Sequence, residues 1–127
     1  MALKLRNQWL SLSGVVALKF RTSGSERAGI IKMAIEMMNA DDGLVVVDVR
    51  TQEEFDGGHI PGAICIPNES IVDAQPAELP DLEQTILVYC RSGRRSKEAA
   101  QKLADMGYTE VYEFGGIIDW TGEVVTE

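Results

Sequence analysis

The sequence predicts a single α/β domain, with a central parallel sheet of about five strands and helices on both faces. Continuous β-branched runs such as GLVVVDVR (43–50) and TILVY (85–89) are typical of strands buried on both faces of a parallel sheet. These runs alternate with segments of helical periodicity, which implies right-handed β-α-β crossovers. The length of 127 residues fits one domain of ordinary size.

The N-terminal part is predicted to contain one strand and one helix. The apolar segment VVALKF (15–20) indicates a first strand. The alternative is that residues 1–21 form a weak signal-like stretch, because Lys4 and Arg6 precede an apolar run as the charged region of a signal peptide does. Apolar residues recur at helical spacing between Ser25 and Asn39, which predicts an amphipathic helix.

The middle of the chain is predicted to consist of short elements. After the first of the β-branched runs, Thr51 and Glu54 stand in the capping-box positions of a short helix, which should end at the Gly57–Gly58 pair. The segment AICIP (63–67) predicts a short strand that ends at its proline. The acidic segment from Asn68 to Leu82 is interrupted by prolines and predicts a helical turn within a loop.

The C-terminal third is predicted to contain a strand, a helix, a last strand and a short helix. After TILVY, the segment Ser96–Met106 carries alanines and a leucine on one side, as a stable helix does. EVYEF (110–114) predicts the last strand, and Gly115–Gly116 opens a short helix. We expect the domain to span residues 22–122.

Composition narrows the classes of function. Twelve Lys and Arg stand against twenty Asp and Glu, giving a net charge of −8, which argues against a general nucleic-acid binder. No run reaches the roughly 18 to 20 apolar residues needed to span a bilayer. With one histidine and two cysteines, Cys and His alone provide no zinc-type ligand set. We therefore expect no metal and no cofactor.

The two cysteines also bear on the compartment. Cys65 and Cys90 could form at most one disulfide, and their contexts look like a strand and a loop rather than a disulfide framework. A reducing compartment is the simpler interpretation, so we expect a cytoplasmic protein. Separately, we expect a monomer. A periplasmic or exported protein is the alternative, because of the signal-like stretch.

Positive charge gathers around one of these thiols. In VYCRSGRRS (88–96), Cys90 ends an apolar strand and three arginines follow it, Arg91, Arg94 and Arg95. Ligands bind at the carboxyl ends of parallel strands, and a loop with a glycine inside can aim several backbone N–H groups inward as an anion nest. The helix behind adds its positive dipole end. These features favour the thiolate over the thiol and would hold an incoming oxyanion. The alternative is an inert cysteine beside solvated arginines.

The motifs VVVDVRTQEEFDGGHIPGAICIP, ILVYCRSGRRS and AAQKLADMGYTEVYEFGGIIDW resemble, in order and spacing, the signatures of the rhodanese-like domain family, over about Gly43 to Trp120. The resemblance implies a sulfurtransferase that takes a sulfane sulfur from a small donor such as thiosulfate and passes it to a small thiophilic acceptor or a sulfur-accepting protein. It implies Cys90 as the nucleophile and persulfide carrier. It also implies that the loop binds substrate through Arg91, Ser92, Gly93, Arg94 and Arg95.

Further residues are expected to support the site without reacting, namely Asp48, Arg50, His59 and Ser96. Asp48 can accept hydrogen bonds from loop amides, and Arg50 can pair with Glu53 or Glu54. His59 could serve as the base of a Cys-His couple, but the family pattern makes it structural. Cys65 is expected in the core of a strand, and the alternative is a thiol that resolves a persulfide.

Two other functions compete with this interpretation. Phosphatases of the same fold, and arsenate reductases, need arginine six positions after the cysteine, where this chain has Ser96. The smaller loop suits a sulfur atom better. A non-catalytic or sulfur-carrier module that docks on another protein is the second alternative, although inactive relatives usually lack the cysteine.

Overall fold

The computed structural model describes residues 9–12, 15–18, 24–40, 43–72 and 74–126. A six-stranded sheet forms the centre. Its strands are β1 (Trp9–Leu12), β2 (Val15–Leu18), β3 (Val45–Asp48), β4 (Ile64–Cys65), β5 (Thr85–Cys90) and β6 (Glu110–Gly116). The helices are α1 (Gly24–Ala40), α2 (Gln52–Asp56) and α3 (Arg94–Asp105), with short 3₁₀ helices at Asn68–Ser70 and Ile117–Asp119.

The spatial order of the strands is β1-β2-β6-β5-β3-β4. Strands β2, β6, β5, β3 and β4 pair in parallel, and β1 pairs with β2 in the antiparallel sense. The predicted α/β class is confirmed, with one strand more than the five expected. The additional strand, β1, lies in the stretch that the sequence left open between a strand and a signal-like segment. None of the described helices is long and apolar enough to cross a membrane.

Helices cover both faces of the sheet, because the side chains of the central strands alternate between two buried clusters. On β5, Leu87 and Tyr89 pack with Met33, Ala34 and Met37 of α1. Ile86, Val88 and Cys90 of the same strand pack with Ala99, Ala100 and Leu103 of α3. An apolar residue at every position from Ile86 to Cys90 is what a parallel strand buried on both faces requires. Cys90 therefore belongs to the face that α3 covers.

The short helix α2 begins as the sequence predicted. The hydroxyl of Thr51 accepts the N–H of Glu54, and the Glu54 carboxylate accepts the N–H of Thr51 in return. This capping box satisfies two of the amides that a helix start leaves without partners. The helix ends at Gly57, also as expected. The Glu54 carboxylate in its first turn also accepts a hydrogen bond from Arg95 of α3.

Candidate active site

Cys90 is the last residue of β5, at the carboxyl edge of the parallel strands. It lies opposite Gly116 of β6, across a register shift that follows Val88. The residue is buried, with 1% of its surface exposed. Its Sγ accepts the backbone N–H of Gly93 at 2.9 Å. The chain thus turns back over its own thiol within three residues, and the enclosed sulfur is suited to small reactants.

Gly93 makes this tight turn possible. Its φ of +115° lies in the left-handed region, which side chains with a Cβ rarely adopt. Gly93 caps the start of α3, and its carbonyl accepts the N–H of Lys97. The helix begins at Arg94, two residues earlier than the sequence predicted. Its first-turn amides, which have no acceptor within the helix, therefore lie directly after the loop, with the positive end of the helix dipole.

The three arginines of the loop region have different environments. Arg91 and Arg94 are exposed, and the only ion pair that Arg94 makes among the described residues is a 3.9 Å contact with Glu98. Arg95 is partly buried and holds both carboxylate oxygens of Glu54, at 2.8 and 3.2 Å. The Arg95 hydrogen bonds lower the pKa of Glu54 to about 2. The Arg95 side chain thus joins α3 to α2, and Arg91 and Arg94 keep their charges at the surface.

The loop is also held from the side of β6. Ile118 donates its N–H to the carbonyl of Arg91 at 3.2 Å. Gly116 lies so close beneath that a Cβ built there would be 2.6 Å from Cα of Ser92 and nearer still to the carbonyl of Arg91. The end of β6 therefore serves as the floor of the loop, and only glycine fits at this position.

Ser96 connects the thiol to a buried acid that the sequence analysis did not single out. Its Oγ lies 3.5 Å from Sγ of Cys90 and 2.7 Å from Oε2 of Glu113. Burial raises the pKa of Glu113 above its usual range, against hydrogen bonds from Ser96 and Gly115 and the charge of Lys97. The sequence could have pointed to Glu113, because it shares a strand face with Val111. An acidic residue on the side of such a strand that faces a helix is unusual.

Asp48 and Arg50 form a buried pair at the end of β3. The Asp48 carboxylate accepts two bonds from Nε and one from Nη2 of Arg50, the last at 2.6 Å. It also accepts the N–H of Arg50, while Nη2 donates to the carbonyl of Gly58. The prediction that Arg50 pairs with Glu53 or Glu54 is therefore wrong, because its partner is Asp48. Residues two apart at a strand end point to the same side, so Asp48 is nearer to the guanidinium than α2 is.

His59 and Cys65 lie among other neighbours. The imidazole of His59 is buried, donates a hydrogen bond from Nδ1 to the carbonyl of Phe55 at 2.8 Å, and stacks on the Phe55 ring with the ring centroids 3.7 Å apart. Cys65 on β4 is half-buried and donates to the carbonyl of Arg50. Burial and the charge of Asp48 raise the pKa of Cys65 to about 11. Among the described residues, neither side chain makes a hydrogen bond with Cys90.

No group of His, Cys, Asp and Glu side chains within the described part of the chain could hold a metal ion. Three kinds of groups make up the site at Cys90 in the structure. These are a small enclosed thiol, backbone donors at a helix start and two exposed arginines. Such a site can activate a sulfur nucleophile and stabilise an anion that arrives or departs beside it.

Comparisons with known proteins point to one family. The sequence model of the rhodanese-like domain matches residues 31–123. The thiosulfate sulfurtransferase PspE of Escherichia coli is 40% identical over 73 residues, which cover 58% of this chain and 70% of PspE. The thiosulfate sulfurtransferase GlpE of Pseudomonas syringae is 36% identical over 76 residues, 60% of this chain and 70% of GlpE. The structure of an E. coli rhodanese with anions superposes with a TM-score of 0.61 at 36% identity, covering 66% of this chain and 99% of that one.

Proposed function

Because the chain belongs to the rhodanese-like domain family and is a sulfurtransferase, we propose that thiosulfate is its donor and Cys90 its nucleophile. The observation that carries the proposal is the contact between Sγ of Cys90 and the Gly93 N–H at the start of α3. A hydrogen bond from an amide to a sulfur anion stabilises the anion. The N–H groups at the start of α3 can likewise bind the sulfite that leaves.

The reaction takes place in two redox-balanced displacements. The Cys90 thiolate attacks the outer, sulfane sulfur of thiosulfate, and a new S–S bond forms. The S–S bond inside thiosulfate breaks, and its electron pair leaves with sulfite. A nucleophilic acceptor then attacks the outer sulfur of the Cys90 persulfide, and the electron pair of that S–S bond returns to the cysteine. The thiolate is thereby regenerated.

The surroundings of the thiol support roles for individual groups. Residues 94–96 supply first-turn amides that have no helical acceptor, and these can bind the persulfide or the oxygen atoms of the donor. Arg91 and Arg94 are exposed and can attract the dianionic donor over several ångströms. Arg95 is bound to Glu54, so its contribution is to anchor the first turn of α3. The low exposure of Cys90 favours a small donor.

The alternative of phosphate-ester chemistry is less well supported. A phosphatase of this fold needs an arginine at the position that Ser96 fills, and Ser96 is fully buried, with its hydroxyl among Glu113, Gly93 and Gly115. The site therefore favours transfer of a single sulfur atom.

A steady-state assay tests this function. Transfer from thiosulfate to cyanide, followed as thiocyanate, should be present in the parent protein and in Cys65→Ser, and absent in Cys90→Ser. The serine hydroxyl is not ionised at neutral pH and so cannot attack sulfur. Hydrolysis of an aryl phosphate should be absent from all three proteins. Activity that survives Cys90→Ser, or failure with both thiosulfate and a small persulfide donor, would refute the proposal.

A further inference from the structure

The Ser96 hydroxyl lies between the thiol of Cys90 and the carboxylate of Glu113. The sulfur is 3.5 Å from Oγ, and Oγ is 2.7 Å from Oε2. Ser96, Cys90 and Glu113 have exposed fractions of 0%, 1% and 6%. A hydrogen-bonded chain therefore joins two ionisable groups in a region that water hardly reaches, where charges interact more strongly than at the surface.

The charged groups around the hydrogen-bonded series of Cys90, Ser96 and Glu113 come from several elements. Lys97 of α3 faces the carboxylate and favours its ionised form, as does the N–H of Gly115, at 2.8 Å from Oε2. Arg95 of α3 interacts electrostatically with Cys90 of β5. The neighbouring strand β2 has the sequence VVAL and brings no titratable side chain. Burial acts against these groups and raises the pKa of Glu113. The neutral carboxyl therefore persists to a higher pH than in an exposed glutamate.

We propose that Glu113 is a positioning residue that sets, through the Ser96 hydroxyl, whether Cys90 is a thiol or a thiolate. The inference rests on the proposed function, in which Cys90 is the nucleophile. A serine hydroxyl has one hydrogen and can donate to one acceptor at a time. When Glu113 is ionised, the hydroxyl donates to Oε2 and the thiol donates to Oγ. When Glu113 is neutral, its carboxyl donates to Oγ, and the hydroxyl can donate to the thiolate, whose charge makes it a stronger acceptor than the carbonyls of Gly93 and Gly115 at 2.9 and 3.2 Å.

The two arrangements contain the same protons. One proton moves from Sγ to Oγ while another moves from Oγ to Oε2, and neither the net charge nor any oxidation state changes. A thiolate and a carboxylate this close in a buried setting disfavour each other. The pair therefore shares one negative charge over a range of pH, and the reactive thiolate forms opposite a neutral Glu113.

The substitution Glu113→Gln tests this directly, because an amide keeps a donor and an acceptor at Ser96 without the charge. The assay measures the rate at which iodoacetamide alkylates Cys90 in the folded protein as a function of pH. After digestion, mass spectrometry quantifies the label on the peptide that contains Cys90. We expect the midpoint of the profile to fall by about one pH unit, so that alkylation below it is about tenfold faster. Glu110→Gln, on the same strand with its carboxylate on the Tyr112 hydroxyl, should leave the profile unchanged.

A midpoint that stays in place would reduce Glu113 to a packing role, and a higher midpoint or lost reactivity would make it an ionised base; either result overturns the inference. A second measurement keeps Glu113 intact. Coupling between two sites is reciprocal, so in the parent protein the ¹³C-labelled carboxyl of Glu113 should show a titration step at the alkylation midpoint of Cys90, and this step should be absent in Cys90→Ser; a carboxyl titration that is identical in both proteins also overturns the inference. Alkylation involves no sulfur donor, so failure of the thiosulfate assay would leave this test valid.

Discussion

Gly116 offers a direct test of the claim that the end of β6 is the floor of the loop. In Gly116→Ala the new Cβ would lie 2.6 Å from Cα of Ser92 and nearer still to the Arg91 carbonyl, whereas real Cβ atoms essentially never come within 3.0 Å of a heavy atom outside their own residue and its chain neighbours. Both neighbours are backbone, so no flexible side chain can yield. The loop must therefore move by about 1 Å, and a misplacement of that size can lower a rate about 100-fold.

The assay compares kcat/KM for transfer from thiosulfate to cyanide in Gly116→Ala and in the parent protein, with urea unfolding of both. We expect kcat/KM to fall about 100-fold and the free energy of unfolding to fall by about 1–3 kcal/mol, as for other overpacked positions. Gly57→Ala is the matched control, since its φ is −77° and its nearest neighbour would lie at an ordinary 3.5 Å. Parent-like kinetics and stability in Gly116→Ala would refute the reasoning.

Three further tests use Cys65 and the two short ion pairs, Asp48–Arg50 and Glu54–Arg95. Asp48→Asn leaves the buried Arg50 without its partner and should lower the free energy of unfolding by about 3–5 kcal/mol in urea titrations; an unchanged value would contradict this. Arg95 lowers the pKa of Glu54 from 4.5 to about 2, so its stabilisation is complete above pH 4.5 and is lost as the pH falls through about 2. The free energies of unfolding of the parent protein and of Glu54→Gln, measured against pH, should therefore converge in acid. A difference that stays constant with pH would contradict the pairing. Because the pKa of Cys65 is raised to about 11, iodoacetamide at pH 8 should label the loop cysteine first; equal labelling would be the contrary result.

Most of the fold follows from local patterns in the sequence. The β-branched runs predicted β3 and β5 because a strand buried on both faces has no polar side to alternate with. The capping box predicted the start of α2, because its two hydrogen bonds lie within four residues. The start of α3 was predicted two residues late, because Arg94 and Arg95 look like loop residues until the left-handed Gly93 is known to end the turn.

The contacts that shape the site depend on tertiary structure. Glu54 and Arg95 are 41 residues apart, and only the tertiary fold brings their side chains together. Gly116 and the loop residues Arg91 and Ser92, which also approach closely, are likewise far apart in sequence. The partner of Arg50, in contrast, could have been predicted from the period of two along a strand, which places Asp48 on the same side.

The most direct test of the central claim is the mass of the protein after sulfur loading. Incubated with thiosulfate and then freed of small molecules, the parent protein should gain the mass of one sulfur atom, located on the peptide that contains Cys90. Cyanide should then remove that sulfur as thiocyanate and restore the original mass. A sulfur found on Cys65, or a mass that thiosulfate and a small persulfide donor both leave unchanged, would contradict the account.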